Sequence, residues 1–420
     1  MDYRPGKDFA QEMDAGDPLR EYRSRFLVPK HQNGDECIYF CGNSLGLQPK
    51  TASRYVEEIL KDWETLAVEG HFRASRPWMA YHERLGEQTA RLLGAKPLEV
   101  TVMNTLTVNL HLMLVSFYRP TPHRYKILME ANAFPSDRYA VKSQLRFHGY
   151  DPADALIELP LRRGEVLHRS EDIEALLEAE GGTIALVMLG GVNYYTGQVF
   201  DMERITRAAH ARGCTVGFDL AHAVGNVEMK LHDWKVDFAV WCTYKYLNGG
   251  PGSTAGAFVH EKYAHTLNLP RFAGWWGHEK ATRFLMPADF LPIPGAEGWQ
   301  VSNQPILPLA PLRASLDIFE EAGMEKLRRK SRLLTGYLEF LVERIGEERV
   351  SIITPRDENQ RGCQLSLVMK RDGQAVFKKL GERGVIGDWR EPDVIRVAPA
   401  PLYNSFAEVF RFAELLEELV

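Results

Sequence analysis

The chain has 420 residues, 45% hydrophobic and 25% charged, and its 51 Lys and Arg against 56 Asp and Glu give a net charge of −5. These values are ordinary for a globular protein, and without a basic excess nucleic acid is a poor first candidate for a partner. No stretch approaches the ~20 apolar residues that span a bilayer, and MDYRPGKDFAQEMD lacks the apolar core of a signal peptide, so we expect a cytoplasmic protein. Five cysteines, of which only Cys37 and Cys41 are close in sequence, predict free thiols and no metal site.

The first three quarters of the chain alternate short apolar runs with amphipathic segments, which is typical of βαβ units. Strands are predicted at Tyr125–Met129, Thr183–Leu189, Cys214–Phe218 and Phe238–Cys242, and helices at Ser136–Phe147 and Met202–Arg212, the latter ending at Gly213. We therefore expect a large domain over residues 51–310, with a mostly parallel sheet covered by helices.

The pattern changes near residue 310. The proline-rich segment Leu291–Pro311 predicts a loop or crossover, and a long amphipathic pattern follows from about Leu312 to Ile345. The remaining predicted elements are strands at Ser351–Ile353, Gln364–Met369 and Val394–Val397, a helix near Gln374–Arg383, and a last helix from Ser405 with Glu408 at the capping-box spacing. These elements predict a small α+β domain over residues 311–420, on which residues 1–50 are expected to pack.

An acidic residue and a lysine follow neighbouring predicted strands in the middle of the chain. Asp219 comes after Cys214–Phe218, and Lys245 comes after the strand that ends at Cys242. Because ligands bind beyond the carboxyl ends of strands in open α/β sheets, both side chains are expected in one crevice. Such a pair suits pyridoxal phosphate (PLP), since a lysine forms a Schiff base with its aldehyde and a carboxylate keeps its pyridine nitrogen protonated. The spacing alone fits equally well a helix-capping Asp219 and an exposed Lys245.

Two further clusters suit parts of such a cofactor. A helix beginning at Asn104 or Thr105 would bind a phosphate through its free N–H groups, with the hydroxyl of Thr107 nearby. In the segment NAFPSD, Phe134 would stack on a flat ring and Asp137 would reach a polar ring substituent. Taken singly, each cluster is better explained as an ordinary helix start.

The last two clusters suit a substrate pocket. Arg396 lies within the strand pattern VIRV, where a guanidinium would grip a carboxylate with two parallel hydrogen bonds. The aromatic segment Gly274–His278 and the segment Ser302–Gln304 would line a flat pocket. A salt bridge at a sheet edge and core packing remain the alternatives for these residues.

Together these segments match one family in order and spacing. The blocks that carry the match are FCGNSLGLQPK at 40–50, NTLTVNLHLML at 104–114, FPSD at 134–137, GFDLAHAVGNVE at 217–228, YKYLN at 244–248, GAFVHEK at 256–262 and RVAPAPLYNSF at 396–406. From about Cys41 to Phe406 the chain resembles the kynureninases, PLP enzymes of the aspartate aminotransferase fold type. The resemblance implies an α/β fold of type I, with a mostly parallel central sheet in a large domain and a small α+β domain.

The resemblance also implies a set of site residues. Lys245 would be the Schiff-base lysine and Asp219 the partner of the pyridine nitrogen. Tyr244 would hold the phosphate region together with Leu106 and Thr107, and would also be a second proton carrier. The cofactor would also be contacted by Leu106, Thr107, Phe134, Pro135, Ser136, Asp137, His222, Trp275 and Asn303, with Trp275 and Asn303 reaching across a homodimer interface. The substrate would be held by Arg396 at its α-carboxylate and, at its aromatic end, by Ser44, His71 and Asn303.

The implied reaction is hydrolytic Cβ–Cγ cleavage of L-kynurenine or its 3-hydroxy form to an anthranilate and L-alanine, in tryptophan catabolism and NAD precursor synthesis. Another PLP enzyme of the same fold type, such as a cysteine desulfurase or an aminotransferase, is the alternative within enzymes. A PLP-fold binding or regulatory protein without turnover is the alternative from another class. One position departs from the family: Gly190 stands in LGGVNYYTGQ where a Ser or Thr is usual. The lost hydroxyl contact is expected to weaken cofactor binding by only ~1 kcal/mol, leaving the reaction class unchanged.

Overall fold

The computed structural model describes residues 2–420. Its α-helices are α1 Lys7–Ala15, α2 Ala52–Leu66, α3 Gly70–Arg73, α4 Tyr81–Leu93, α5 Leu106–Phe117, α6 Pro135–Phe147, α7 Pro152–Ala155, α8 Ser170–Glu180, α9 Met202–Ala211, α10 Ile306–Ala322, α11 Met324–Ile345, α12 Gly373–Glu382 and α13 Phe406–Leu419. Short 3₁₀ turns lie at Arg20–Arg25, Ala67–Glu69, Trp78–Ala80, Pro97–Glu99, Glu261–Tyr263, Trp275–Gly277, Arg283–Leu285, Ala296–Trp299 and Glu358–Gln360.

The strands form a large sheet, a small sheet and two short pairs. They are β1 Phe26–Leu27, β2 Ile38–Tyr39, β3 Gln48–Pro49, β4 Val100–Val102, β5 Lys126–Glu130, β6 Leu156–Leu159, β7 Ile184–Gly190, β8 Thr215–Asp219, β9 Phe238–Trp241, β10 Gly256–Val259, β11 Val350–Ile352, β12 Leu365–Met369, β13 Val385–Ile386, β14 Asp388–Arg390 and β15 Val394–Val397. Most predicted strands and helices occur within one or two residues of their expected ends.

The large sheet has seven strands in the order β4-β10-β9-β8-β7-β5-β6. β5 to β9 pair in parallel, whereas β10 is antiparallel to both of its neighbours. The central strand β7 is buried along six of its seven residues, as its continuous apolar sequence IALVML requires between two helical layers. The expected fold class, a mostly parallel central sheet with a smaller second unit, is confirmed.

The small sheet is antiparallel, in the order β11-β12-β15-β14. It packs with α11, α12 and α13 around a second apolar cluster, which also contains Phe9, Ala10 and Phe40 from the N-terminal segment. In addition, β2 pairs in parallel with β13. The N-terminal segment thus contributes to the core of the C-terminal unit. The capping box predicted for the last helix is confirmed, since Ser405 and Glu408 each bond the other's backbone N–H.

The region around residue 310 differs from its predicted structure. The predicted loop Leu291–Pro311 ends early, because α10 begins at Ile306 and includes Pro311. The long amphipathic pattern forms two helices, α10 and α11, separated by Gly323 at φ +78°. Glycine adopts this left-handed conformation without the steric penalty of other residues, which allows the chain to turn there. α10 packs on α2 and α4, whereas α11 packs on α13. The chain therefore passes at Gly323 from the core of the large sheet to the core of the small sheet.

Among residues 2–420, no helix combines the length and the apolar character needed to cross a bilayer.

Candidate active site

A cavity lies at the carboxyl ends of the central parallel strands, where open α/β sheets bind their ligands. β5, β7 and β8 end there, and the segment after β9 closes it. The cavity has a volume of about 80 Å³ and is open at its mouth. Its lining comprises Leu106, Thr107, Glu130, Phe134, Ser136, Asp137, Gly190, Val192, Tyr194, Asp219, Ala221, His222, Tyr244 and Lys245.

Lys245 is the cationic centre of the cavity. Its Nζ lies 2.9 Å from Nε2 of His222, which is buried and whose Nδ1 has no hydrogen-bond partner. Burial and the nearby charge of Lys245 lower the pKa of His222 well below its ordinary value. The imidazole is therefore neutral and accepts a hydrogen bond from the lysine. The lysine is held in place without an ion pair that would mask its charge.

Two buried carboxyl groups face this lysine. Asp219 is the last residue of β8, and its Oδ1 accepts the N–H of Ala221 at 2.7 Å. Burial raises the pKa of Asp137 well above its ordinary value, and the neighbouring Asp219 raises it further. Burial also raises the pKa of Asp219, against the hydrogen bond from Asp137, the N–H of Ala221 and the charge of Lys245, which lower it. The larger rise for Asp137 favours a neutral Asp137 beside a charged Asp219.

The N-terminus of α5 opens into the same cavity. Thr105 is its N-cap residue, but no side chain caps the helix, so its first N–H groups remain available to a ligand. Two hydroxyl groups lie at this end, Thr107 Oγ1 and Ser136 Oγ, 2.8 Å apart. Free N–H groups, the positive end of the helix dipole and hydroxyl donors together make an anion site. The expected cap by Asn104 or Thr105 is not formed through a side chain.

Aromatic rings flank the lysine. Its Nζ lies 5.8 Å from the centroid of the Phe134 ring and 6.0 Å from that of the Tyr244 ring. Phe134 precedes α6, whose first residue is Pro135, and packs edge-on against Tyr194 at 5.3 Å. Phe134 is 43% exposed and lines the cavity, a position suited to stacking on a planar ligand.

Glu130 is a site residue that sequence reasoning missed. It ends β5, is buried, and accepts the N–H of Gly190 at 3.2 Å. Burial raises its pKa to about 7, with a further increase from Asp219. A Cβ on Gly190 would come within 3.1 Å of Glu130 Oε1, so this carboxyl fills the space beside the glycine. The acidic residue that closes the apolar run KILM is the signal that could have revealed it.

Arg396 lies on β15 beside the same cavity, with its side chain 1% exposed. Its Nη1 donates to the carbonyl of Tyr194 at 2.5 Å, and its Nη2 contacts Asp388 Oδ2 at 2.5 Å. Ser44 also donates to Asp388 Oδ2 and lies 3.4 Å from Arg396 Nη2. Ser44 is thus next to the arginine, which differs from the expectation that it serves the aromatic end of a substrate. Sequence reasoning missed Asp388, whose signal is the charged alternation in GDWRE.

Three expected site residues lie outside the cavity of the single chain. Trp275 is 44% exposed and donates its indole N–H to the carbonyl of Arg283 at 3.1 Å. Asn303 is exposed, and the ring of His71 packs edge-on against Trp78 at 5.3 Å. None of the three lines the space around Lys245.

Comparison with known proteins agrees with this architecture. Residues 38–282 match the family model of class-V aminotransferases, and residues 327–416 match that of the kynureninase C-terminal domain. A kynureninase from Myxococcus xanthus is 60% identical, covering 99% of this chain and 97% of its own. One from Nematostella vectensis is 52% identical over 98% of this chain and 93% of its own.

Solved structures show the same fold at low sequence identity. A C-DES mutant with glycine covalently linked to its PLP cofactor superimposes with a TM-score of 0.79 at 16% identity, over 95% of this chain and 99% of that one. The apo cysteine desulfurase from Thermococcus onnurineus NA1 gives a TM-score of 0.76 at 18% identity, over 100% and 99% of the two chains. With the full-length relatives at more than half identity, the conclusion is direct: the chain belongs to the kynureninase family.

Proposed function

We propose that this protein is a PLP-dependent hydrolase that cleaves the Cβ–Cγ bond of L-kynurenine or 3-hydroxy-L-kynurenine, as one step of tryptophan catabolism. The observation that carries the proposal is the convergence in one cavity of Lys245, Asp219 and the uncapped start of α5. Membership of the kynureninase family supports the choice of this reaction over others of the same fold.

The cavity fits PLP by the chemistry of its donors. The free N–H groups of α5 with Thr107 and Ser136 suit the phosphate, and the exposed face of Phe134 suits the ring. The charged Asp219 would hold the pyridine nitrogen protonated, and Lys245 would form the covalent link. When bound, the cofactor supplies an electron sink for negative charge that develops on the substrate.

The residues of the chain then move protons at defined atoms. Lys245 Nζ, as a free amine, would take the proton from Cα of the substrate. His222 Nε2, 2.9 Å from this nitrogen, orients the amine without competing for the proton, since burial lowers its own pKa well below the ordinary value. Tyr244 is a second proton carrier; burial raises the pKa of its hydroxyl, which is therefore protonated and able to donate.

The hydrolytic step balances with water as the only co-substrate. Water adds its oxygen to the γ-carbonyl carbon, the Cβ–Cγ bond breaks with its electron pair left on Cβ, and Cβ takes up a proton. The products are anthranilate, or its 3-hydroxy form, and L-alanine. Arg396 would hold the α-carboxylate throughout, which keeps the scissile bond fixed relative to Lys245.

The aromatic end of the substrate is assigned to His71 and Asn303, with Ser302 beside them. A ring hydroxyl needs a hydrogen-bond partner when it is buried, and these polar side chains favour tolerance of the 3-hydroxy substrate.

We further propose a cytoplasmic homodimer in which each subunit completes the site of the other. Large apolar side chains are exposed on the single chain, and single-chain exposure of this kind marks contact surfaces. They include Trp63, Phe72, Trp275, Leu285 and Met286. The position of Trp275, Asn303 and His71 outside the cavity supports their contribution to the partner's site.

The proposed domain organisation is based on the two apolar cores, one around the large sheet and one around the small sheet. Residues 1–50 and the chain after residue 310 would form one unit and residues 51–310 the cofactor unit. The shared apolar cluster of the N-terminal and C-terminal segments supports it. The packing of α10 on α2 and α4 moves the second boundary from residue 310 to Gly323.

The cysteines argue against a desulfurase. Such an enzyme needs a mobile nucleophilic thiol, but Cys37, Cys214, Cys242 and Cys363 are buried. Cys41 is half-buried near Arg396, yet its backbone is held in a bridge to Ala398, and burial with Asp388 nearby raises the pKa of its thiol. A thiol that is both held and protonated is a poor nucleophile at neutral pH.

The test is direct assay of the PLP-loaded protein. L-Kynurenine and 3-hydroxy-L-kynurenine are supplied in turn, and the anthranilate product and L-alanine are quantified. We expect equal amounts of both products from at least one substrate; no product from either contradicts the proposal. A parallel reaction with an added keto acid checks for amino transfer, which we expect to be absent.

A further inference from the structure

A second arginine accompanies Arg396 at the side of the cavity. Arg390 Nε lies 3.2 Å from Asp388 Oδ1, and its Nη2 lies 3.2 Å from Asp388 Oδ2. Asp388 therefore stands between two guanidinium groups, facing Arg390 with both oxygens and Arg396 with one. The trio carries one negative charge against two positive charges, which leaves one positive charge uncompensated.

The guanidinium of Arg396 has hydrogen-bond partners for only some of its nitrogen atoms. Nη1 is held by the carbonyl of Tyr194, Nη2 is taken by Asp388, and Nε is buried without a hydrogen-bond partner. A carboxylate that binds an arginine with two parallel hydrogen bonds needs two N–H groups on one edge. The edge formed by Nε and Nη2 offers these groups, but Asp388 already engages half of it. A substrate carboxylate on this edge must displace that oxygen.

Arg390 can bind the carboxylate of Asp388 once it is displaced from Arg396. It already approaches both oxygens of Asp388, so Asp388 can leave Arg396 without losing a cationic partner. The exposed fractions fit these roles: 1% for the Arg396 side chain, 12% for Asp388 and 38% for Arg390. Arg390 is close enough to the cavity that its charge, with those of Lys245 and Arg396, helps to lower the pKa of His222.

We propose that Asp388 occupies Arg396 in the free enzyme as an internal carboxylate, and that Arg390 receives it when the α-carboxylate of the substrate binds. Arg390 and Asp388 are then specificity residues for a negatively charged amino-acid end, acting through Arg396. The inference rests on the proposed function for the identity of the substrate, but the exchange of carboxylates is a property of the site itself.

The direction in which two substitutions change the affinity for L-alanine distinguishes this exchange from a purely structural role of Asp388. Asp388→Asn keeps the shape of the side chain but removes the competing charge, so the holoenzyme should bind L-alanine several-fold more tightly. If Asp388 only oriented Arg396, the same substitution would weaken binding. Arg390→Gln leaves Asp388 on Arg396, so L-alanine should bind about tenfold more weakly.

The measurement is calorimetric titration of the PLP-loaded enzyme and its variants with L-alanine and with 2-aminoacetophenone. The ketone resembles the aromatic end of kynurenine and has no carboxylate, so its affinity should be the same in all forms. In the double variant Asp388→Asn, Arg390→Gln, the affinity for L-alanine should match that of Asp388→Asn alone, since without the competing charge no receiver is needed. Arg390 lies on the edge strand β14 and is partly exposed, so its substitution leaves the core intact.

Weaker L-alanine binding by Asp388→Asn, unchanged binding by Arg390→Gln, or no binding by the unmodified holoenzyme overturns the inference. Parallel loss of affinity for the ketone would show a general structural defect and overturns it as well. Kinetics with L-kynurenine provide a separate arm, in which Arg390→Gln should raise KM about tenfold with kcat nearly unchanged. Absence of turnover by the unmodified enzyme would contradict the proposed function, whereas the L-alanine titration decides the role of Asp388 independently.

Discussion

At the scale of single residues, the site depends on which groups carry charge in a buried space. Lys245 has the imidazole of His222 as its neighbour, and Asp219 has Asp137, a buried carboxyl whose pKa is raised well above its ordinary value. These arrangements keep one positive and one negative group available for a ligand. The placement of Lys245 and Asp219 after two neighbouring strands could be read from the sequence. The protonation of His222 and Asp137 depends on how deeply each is buried, and burial of this kind cannot be read from the local sequence.

Lys245→Ala should abolish both turnover and the visible absorption of the bound cofactor, because the covalent link and the base at Cα are removed together. The spectrum and the release of anthranilate are measured on the purified variant. Lys230→Ala, at an exposed position outside the cavity, is the matched control and should retain both. Full activity of the Lys245 variant would refute the assignment.

Glu130→Gln should stabilise the cofactor-free protein in a pH-dependent way. The pKa of Glu130 is raised from 4.5 to about 7 by burial, so ionisation above pH 4.5 favours the unfolded chain. The resulting decrease in the free energy of unfolding is absent at low pH, grows between pH 4.5 and 7, and reaches at most about 3 kcal/mol above that range. Melting temperatures at pH 5 and pH 8 should show a larger advantage of the variant at pH 8.

The exposed Glu347→Gln is the control for this comparison, and its effect should be the same at both pH values. An equal advantage of Glu130→Gln at pH 5 and pH 8 would mean that Glu130 does not change its proton affinity on folding.

At the scale of elements, the helix pair α10 and α11 shows what amphipathic spacing does and does not report. The amphipathic pattern of the sequence continues past residue 323 and does not mark a break there. The break occurs because Gly323 adopts a positive φ, where helical hydrogen bonding is interrupted. Its position decides which core each helix joins: α10 packs with the large sheet, and α11 with the small one.

Gly323→Ala should destabilise the protein by about 1–2 kcal/mol, because an alanine pays the steric cost of the left-handed region. Nothing lies within 4 Å of a Cβ built there, so the cost is conformational. Gly381→Ala is the matched control, since Gly381 also has open space around a Cβ but lies in α12 without a positive φ. It should stabilise the protein by ~0.5–1 kcal/mol. Chemical denaturation of both variants gives the comparison; the same sign for both would contradict the argument.

At the scale of the whole molecule, the proposed dimer explains why some family motifs lie away from the cavity. Trp275 and Asn303 are surface residues of the single chain, and exposed aromatic residues near them suit a subunit contact.

Mixing inactive variants tests this arrangement. Lys245→Ala and Asn303→Ala should each have little activity alone. After subunit exchange, half of the dimers are hybrids with one intact site, so about one quarter of the unmodified activity should return if Asn303 acts across a two-fold interface. Anthranilate release before and after exchange is the measurement. No recovery, with exchange verified by differently tagged subunits, would place Asn303 in the site of its own chain.

The amino-acid sequence by itself determined the strands of the central sheet, the capped last helix and the residue types needed to bind PLP. Continuous apolar runs between helical segments specify a buried parallel sheet, and the long motif blocks specify the family. These signals are local or follow a fixed period, so they can be read along the chain.

Only the tertiary structure decided which side chains meet. Glu130, Gly190 and Asp219 end three different strands and become neighbours because parallel strands finish at one edge of the sheet. Asp388 and Arg390 reach Arg396 through antiparallel pairing of β14 with β15, and Ser44 joins them from the N-terminal segment. Burial then sets their protonation, because the cost of removing a charge from water depends on everything that surrounds it.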